Sequence, residues 1–262
     1  MTGPRITFVL PFYNEAEFIG RTLASLAAQR DRGFALILVD NGSTDGGAAI
    51  AREACAAMPD IAVEFIDEPT PGKLNALTAG LSRATTPFVG TMDADTIYPP
   101  EYVGRILRLF GQAGDVVAVL AFGMPEGADF ASARLRLYAG LLPGKCHTGG
   151  YGEAFRRDAL EKAGGFDAAI WPYVIEDHEI VHRVGKLGRL AYDPEHVCFP
   201  SDRRKDRSDC SWSLGERVLY KLLPAGMMDW FFYRFLARRF ERRGLRNIRL
   251  RDQAWRNDGA PS

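Results

Sequence analysis

Long apolar runs are missing from this chain. No stretch approaches the roughly 18 consecutive apolar residues that a membrane-crossing helix needs, and the opening MTGPRITFVLPFYNE is too short in apolar residues before its proline and acid to read as a secretory leader. Cysteine is scarce as well. Cys55, Cys146, Cys198 and Cys210 form no CxxC pair and no metal-like spacing, which sets aside a disulfide framework and fits a reducing compartment such as the cytoplasm. Net charge is absent in sum, 33 basic against 33 acidic side chains in 262 residues, and this argues against a general nucleic-acid binder. The zero joins unlike parts. Residues 1–200 carry 18 Lys and Arg against 25 Asp and Glu, net −7, and residues 201–262 carry 15 against 8, net +7. At 47% hydrophobic the chain has the make-up of an ordinary globular protein, with one large domain or two small ones.

What is present first is a rhythm. Short β-branched apolar runs at 6–10, 35–39, 61–66, 87–92 and 116–122 alternate with helix patterns at about 15–29, 46–58, 72–83 and 100–111. That alternation predicts an α/β fold with a mostly parallel sheet, whose strand carboxyl ends share the edge where such sheets bind ligands. Ser43-Thr44-Asp45 is placed to cap the second helix. Beyond residue 125 the rhythm changes. A helix-like stretch at 130–142, a glycine-rich turn CHTGGYGEAF, helices near 157–163 and 175–187 and a short strand near 189–193 are expected, then a mobile polar loop at 201–211 and a helical segment from Trp212.

Polar clusters follow the strand ends. MDADT at 92–96 places Asp93 and Asp95 one residue apart. On extended backbone both carboxylates face one way, so they can share a Mg²⁺ or Mn²⁺ ion that also holds a diphosphate; a turn-capping pair is the plainer alternative. VDNGSTD at 39–45 offers Asp40 and Asn41 to a base or ribose, or else caps a helix. PFYNE at 11–15 puts Tyr13 where its ring stacks on a base or closes the core. Lys73 opens a helix in PGKLNAL, suited to phosphate by its charge and the free N–H groups beside it, although no Walker A loop surrounds it. VIEDHEI crowds Glu176, Asp177 and Glu179 around His178. Crowding of this kind raises a carboxylate toward the range of a general base; a solvated helix face is the alternative.

PFYNE, VDNGSTD, GKLNA, MDADT, GEAFRRDALEKAGGFD and the ED pair of VIEDHE occur in the order and spacing of the family 2 nucleotide-sugar glycosyltransferases, and residues 5 to about 200 resemble that family. The resemblance implies a GT-A fold: a single Rossmann-like nucleotide-binding sheet with a mixed acceptor-side extension and C-terminal helices. It implies a catalytic domain over 1–200, with a nucleotide-sugar half at 1–125 and an acceptor half at 126–200, followed by a basic loop and helical tail at 201–262. It further implies that Pro11, Tyr13, Glu15, Asp40 and Asn41 meet the donor nucleotide, that Asp93 contacts ribose or metal, and that Asp95 ligates Mn²⁺ or Mg²⁺. Asp177, beside Glu176, then deprotonates an acceptor hydroxyl, and the anomeric centre inverts in one displacement.

Three departures qualify the likeness. Asn41 stands where many members have a second Asp, which leaves the base open. His196 comes too early for the usual third metal ligand, and Pro200-Ser201-Asp202 occupies its place. The QxxRW motif of processive synthases is missing, which points to transfer of a single sugar.

The tail carries its own pattern. Trp230, Phe231, Phe232, Phe235, Leu236 and Phe240 are interleaved with five arginines, of which Arg234, Arg238 and Arg242 fall on one helical stripe with the aromatics largely elsewhere, and Arg239 and Arg243 follow. Either the helix lies on an anionic membrane, or its aromatics pack on the catalytic domain. Arg203-Arg204-Lys205 is a candidate cover for the donor diphosphate. The expected protein is thus a cytoplasmic enzyme, at the inner face of the plasma membrane in the first case. It would move one sugar from a nucleotide-sugar donor, UDP-linked first among candidates, to a glycan or lipid-linked acceptor of the cell envelope. A sugar-nucleotide pyrophosphorylase is the alternative, though residues 5–20 lack its glycine-rich triphosphate loop; so is a non-catalytic sugar-nucleotide-binding protein at a membrane.

Overall fold

The five apolar runs of the first 125 residues all become strands. The computed structural model describes residues 3–125, 137, 141, 145, 149–201 and 211–247. In it the strands are β1 (Ile6–Phe12), β2 (Phe34–Asp40), β3 (Ala62–Asp67), β4 (Phe88–Thr91) and β6 (Val116–Gly123), with a two-residue β5 (Thr96–Ile97) between the last two. β7 (Glu153–Arg156) and β8 (Arg189–Pro200) complete a sheet of order β3-β2-β1-β4-β7-β6-β8-β5. β3, β2, β1 and β4 run parallel, so their carboxyl ends share one edge; β7 is antiparallel to both neighbours, which makes the rest of the sheet mixed.

Alternation along the buried central strands supplies two cores. Ile6, Phe8, Leu10 and Phe12 of β1 join Phe34, Leu36 and Leu38 of β2 on one face, under α1 (Ile19–Ala27), α2 (Gly47–Ala56) and α4 (Tyr102–Gln112). Val9, Ile37 and Val39 face the other way, under α3 (Lys73–Leu81), α5 (Arg157–Lys162) and α6 (Glu176–Gly185). Full burial of each large side chain contributes about 1.5–3 kcal/mol. α3 sits close because residue 80 is glycine: a Cβ there would stand 2.4 Å from Val9 Cγ1. The close seat holds Lys73, the first residue of α3, at the sheet edge.

The structure departs from the sequence expectations at three described places. β8 runs to Pro200 rather than stopping near 193, because pairing with β6 and β5 carries it through the polar DPEH segment. α2 begins at a left-handed Gly46 with no side-chain cap of its own. Asp45 Oδ1 instead accepts the Gly47 N–H at 2.9 Å, and Ser43 Oγ accepts from Asn14 at 3.1 Å. DAD is not extended: Asp93 to Asp95 lie in the turn between β4 and β5. The stretch at 130–142, except Leu137 and Leu141, and the loop bearing Arg203, Arg204 and Lys205 lie outside the described residues.

The tail packs its aromatics inward. α7 (Leu214–Leu222) is followed by α8 (Met228–Trp230), a π-helical turn Phe231–Leu236 and α9 (Ala237–Arg243). Phe231, Phe232, Leu236 and Phe240 are fully buried with Trp171, Val174 and Tyr220 in a third core. Arg234, Arg238, Arg242 and Trp230 stay exposed. The end of the described chain pairs with the approach to α6, where the Val174 N–H donates to Leu245 O at 3.1 Å and the Asn247 N–H to Pro172 O at 3.1 Å. No helix among the described residues is long and apolar enough to cross a membrane.

Candidate active site

Two loops are latched at the ends of β1 and β2. Asn14, with φ of 51°, accepts the Thr44 N–H on its Oδ1 at 2.8 Å, and Asp45 Oδ2 accepts the Ala16 N–H at 2.8 Å. These bonds fix Tyr13 and the buried Glu15 beside Asp40, whose Oδ1 accepts the Ser43 N–H at 2.8 Å. Pro11 pairs with Val39 inside the sheet. Asn41 is buried and its amide serves the chain itself. Nδ2 donates to Glu68 O and Thr70 O, both at 2.8 Å, and Oδ1 accepts the Gly72 N–H at 2.9 Å. A carboxylate could not make the two donations. Asn41 thereby shapes the loop that delivers Lys73.

Lys73 Nζ reaches Asp93 Oδ1 at 2.8 Å, joining the start of α3 to the turn after β4. Below that turn lies buried Tyr98. Its Oη accepts the Asp93 N–H at 3.1 Å and donates to Tyr151 O at 2.9 Å, tying the DAD turn to the glycine-rich segment. Asp95 is buried, and its Oδ2 accepts from Ser201 Oγ at 2.9 Å. His196 lies elsewhere. It is fully buried, its ring centroid 4.5 Å from that of Tyr102, and burial pushes its pKa down to about 3.

α6 opens on strain. Ile175 has φ of 67°, a left-handed conformation that β-branched residues avoid, and it turns Glu176 and Asp177 toward the sheet edge. Asp177 Oδ2 accepts the Gly150 N–H at 2.9 Å; its Oδ1 accepts the His178 N–H at 2.7 Å and lies 2.9 Å from His178 Nδ1. The Gly149-Gly150 turn fills the space between Asp177 and Lys73. A Cβ on Gly149 would stand 3.0 Å from Asp177 Oδ2, and one on Gly150 would stand 3.6 Å from Lys73 Nζ. Burial raises the Glu176 carboxyl to about 7, against the opposing pull of Lys73, and the Asp177 charge adds to the rise. Glu179 does not belong to this group. It turns inward, accepting from Arg183 at 2.8 and 2.9 Å and from the Tyr233 hydroxyl.

One member was not foreseen. Glu153, on β7 between Thr91 and Leu120, is fully buried, and among the described residues neither oxygen has a hydrogen-bond partner. Burial pushes its carboxyl well above the usual range, and the Asp177 charge adds to this. A lone acid inside the apolar run of GEAF was the available sign. The structure thus gathers Lys73, Asp93, Glu153, Glu176 and Asp177. A cavity of about 1020 Å³ lined by Leu74, Asn75, Arg157 and Phe166 includes none of these five residues.

Among the described residues no group of three or more His, Cys, Asp and Glu could hold a metal ion by itself. One or two carboxylates completed by substrate phosphates are how Mg²⁺ is usually bound, and Mn²⁺ accepts the same hard oxygen donors. Asp93 and Asp95, two carboxylates with one residue between them, are donors of that hard oxygen type.

The sequence model of the family described as "Glycosyl transferase family 2" matches residues 7–165, which include these loops, the DAD turn and Glu153. The chain belongs to glycosyl transferase family 2. The pyrophosphorylase alternative falls with that membership. A curated relative, the undecaprenyl-phosphate 4-deoxy-4-formamido-L-arabinose transferase of Sodalis glossinidius, is 34% identical over 128 residues, covering 46% of this chain and 39% of its own. Among solved structures, a mannosyltransferase of Pyrobaculum calidifontis in complex with GDP-Man and Mn²⁺ superposes with a TM-score of 0.66 at 23% identity, over 92% of this chain and 70% of its own. TarS 1–349 of S. aureus in complex with UDP-GlcNAc superposes with a TM-score of 0.61 at 17% identity, over 90% and 73%. These neighbours show the fold to be GT-A. The chain spans 39% to 64% of the length of the first curated relatives it matches.

Proposed function

We propose that this family 2 member is a metal-dependent, inverting glycosyltransferase that moves one sugar from a nucleoside diphosphate sugar to a hydroxyl of a lipid-linked or glycan acceptor. The observation that carries the reading is the fixed carboxylate of Asp177. The Gly150 N–H and His178 orient it, and the Gly149-Gly150 turn lies between it and Lys73, which pairs with Asp93. The undecaprenyl-phosphate transferase among its relatives supports the lipid link of the acceptor, though its acceptor ends in a phosphate and does not bear on the hydroxyl.

In this reading Tyr13, Glu15 and Asp40 border the nucleoside, and Asn41 acts through the 68–72 loop. Lys73 meets the donor diphosphate. A cation held by Asp95 and Asp93 would supply positive charge to the departing diphosphate when bound. Asp177 takes the proton of the acceptor hydroxyl as its oxygen attacks the anomeric carbon. The bond to the diphosphate breaks on the opposite face, and the configuration inverts. Glu176, titrating near neutrality beside it, adjusts the local charge without touching the reacting atoms.

A thermal-shift screen of UDP- and GDP-sugars with Mn²⁺ identifies the donor, because a ligand of the folded state raises the melting temperature by mass action. Uridine is the first base to test. NMR of the product's anomeric proton then reads the stereochemistry. A product that keeps the donor's configuration refutes the single displacement.

A further inference from the structure

The outward face of α7 carries a stripe of large apolar side chains. Leu214, Val218 and Leu222, four residues apart, are 78%, 48% and 77% exposed, and exposed Met227 and Trp230 follow. The inner face is firmly held. Glu216 is buried and accepts from Arg239 at 2.5 Å and Arg243 at 3.2 Å. Lys145 Nζ donates to Tyr220 O at 2.8 Å and to Leu223 O at the helix end. A helix pinned this way cannot roll to hide its leucines.

The surroundings indicate what covers them. Residues 211–247 carry eight Lys and Arg against three acids. Each acid is already paired: Glu216 with Arg239 and Arg243, Asp229 with Lys186 and His182, Glu241 with Arg246. Arg217 and Lys221 flank the stripe on α7 itself, and Arg234, Arg238 and Arg242 are exposed beyond it. Apolar side chains rimmed by surplus cations match a bilayer surface rich in anionic lipid.

We propose that the Leu214/Val218/Leu222 face of α7, with Met227 and Trp230, is the docking surface by which this protein lies on an anionic membrane. Of the two alternatives the sequence left open for the tail, the aromatics of Phe231–Phe240 take the packed one, and the membrane contact is assigned to α7 instead. The surface is one layer from the catalytic group. On the inner side of α7 Tyr220 has its ring 5.7 Å from that of His178, Trp212 stands 4.8 Å from it, and His178 bonds Asp177. A bilayer beneath α7 delivers a lipid-linked acceptor to Asp177, and this last step alone rests on the proposed function.

The test is co-sedimentation of the full chain with phosphatidylcholine vesicles, with and without added phosphatidylglycerol. Binding to the anionic vesicles, weakened by salt, is expected. The double variant L214E/L222E should lose it at least tenfold, and Leu187→Glu, exposed elsewhere, should not. Donor binding by thermal shift, unchanged in all variants, separates this outcome from failure of the transferase reading. No binding by the wild type, equal binding by the double variant, or a solution dimer that the double variant abolishes would overturn the proposal; the dimer would assign the face to a second copy.

Discussion

The backbone N–H of Gly150 donates to Asp177 Oδ2 at 2.9 Å, so the orientation of the proposed base depends on a turn 27 residues earlier in the chain. The neighbouring Gly149 has φ of 130°, and a Cβ there would meet the same carboxylate oxygen at 3.0 Å. Backbone strain of this kind costs about 1–3 kcal/mol. Gly149→Ala should therefore lower kcat about tenfold or more with little change in donor KM, as read by steady-state kinetics.

Glu179 and Asp177, two residues apart, should fail differently. Glu179 is buried between Arg183 and Tyr233, and removing it leaves the Arg183 guanidinium uncompensated. Breaking a buried pair from one side costs about 3–5 kcal/mol. Glu179→Ala should lower the midpoint of urea unfolding sharply while the folded fraction keeps its kcat.

Two buried groups push stability in opposite directions with pH. His196 has a folded pKa of about 3 against an ordinary 6.5, so the folded state binds fewer protons. Its contribution is full above pH 6.5 and is lost as pH falls through that window. Glu176 is raised from 4.5 to about 7, so its contribution is present at low pH and lost as pH rises between those values. Urea titrations across pH should show His196→Phe flattening the acid side and Glu176→Gln the neutral side. An unchanged slope in either variant removes that group from the account.

Metal dependence has a direct readout. Chelation by EDTA should abolish transfer, and Mn²⁺ or Mg²⁺ should restore it. Asp95→Asn should raise the Mn²⁺ concentration needed for half activity by at least tenfold, about 1.4 kcal/mol of binding. Full activity in chelator excludes a cation held by Asp95 and Asp93.

Much of this arrangement was legible in the sequence because parallel strands covered on both faces are near-continuous apolar runs, which marks β1, β2, β4 and β6 without a partner in view. The strand-end motifs followed from that edge. What escaped was decided by contacts distant in sequence. Asn41 has the same groups whether it meets a base or the 68–72 loop, and only the fold chooses the loop. β8 continues through DPEH because β6 and β5 pair with it. Glu179 could have been set apart by Arg183, four residues on, the spacing of a helical ion pair. The tail's aromatics suited a membrane as well as a core, until Trp171 and Tyr220 supplied the core.

The central claim is that Asp177 removes the acceptor proton. Asp177→Asn keeps the size of the side chain but removes the base and one of its two backbone acceptances, so sugar transfer should fall by on the order of 10²–10⁴ while the thermal shift given by the donor with Mn²⁺ stays as in the wild type. Transfer at the wild-type rate in a variant that still binds donor would contradict the assignment.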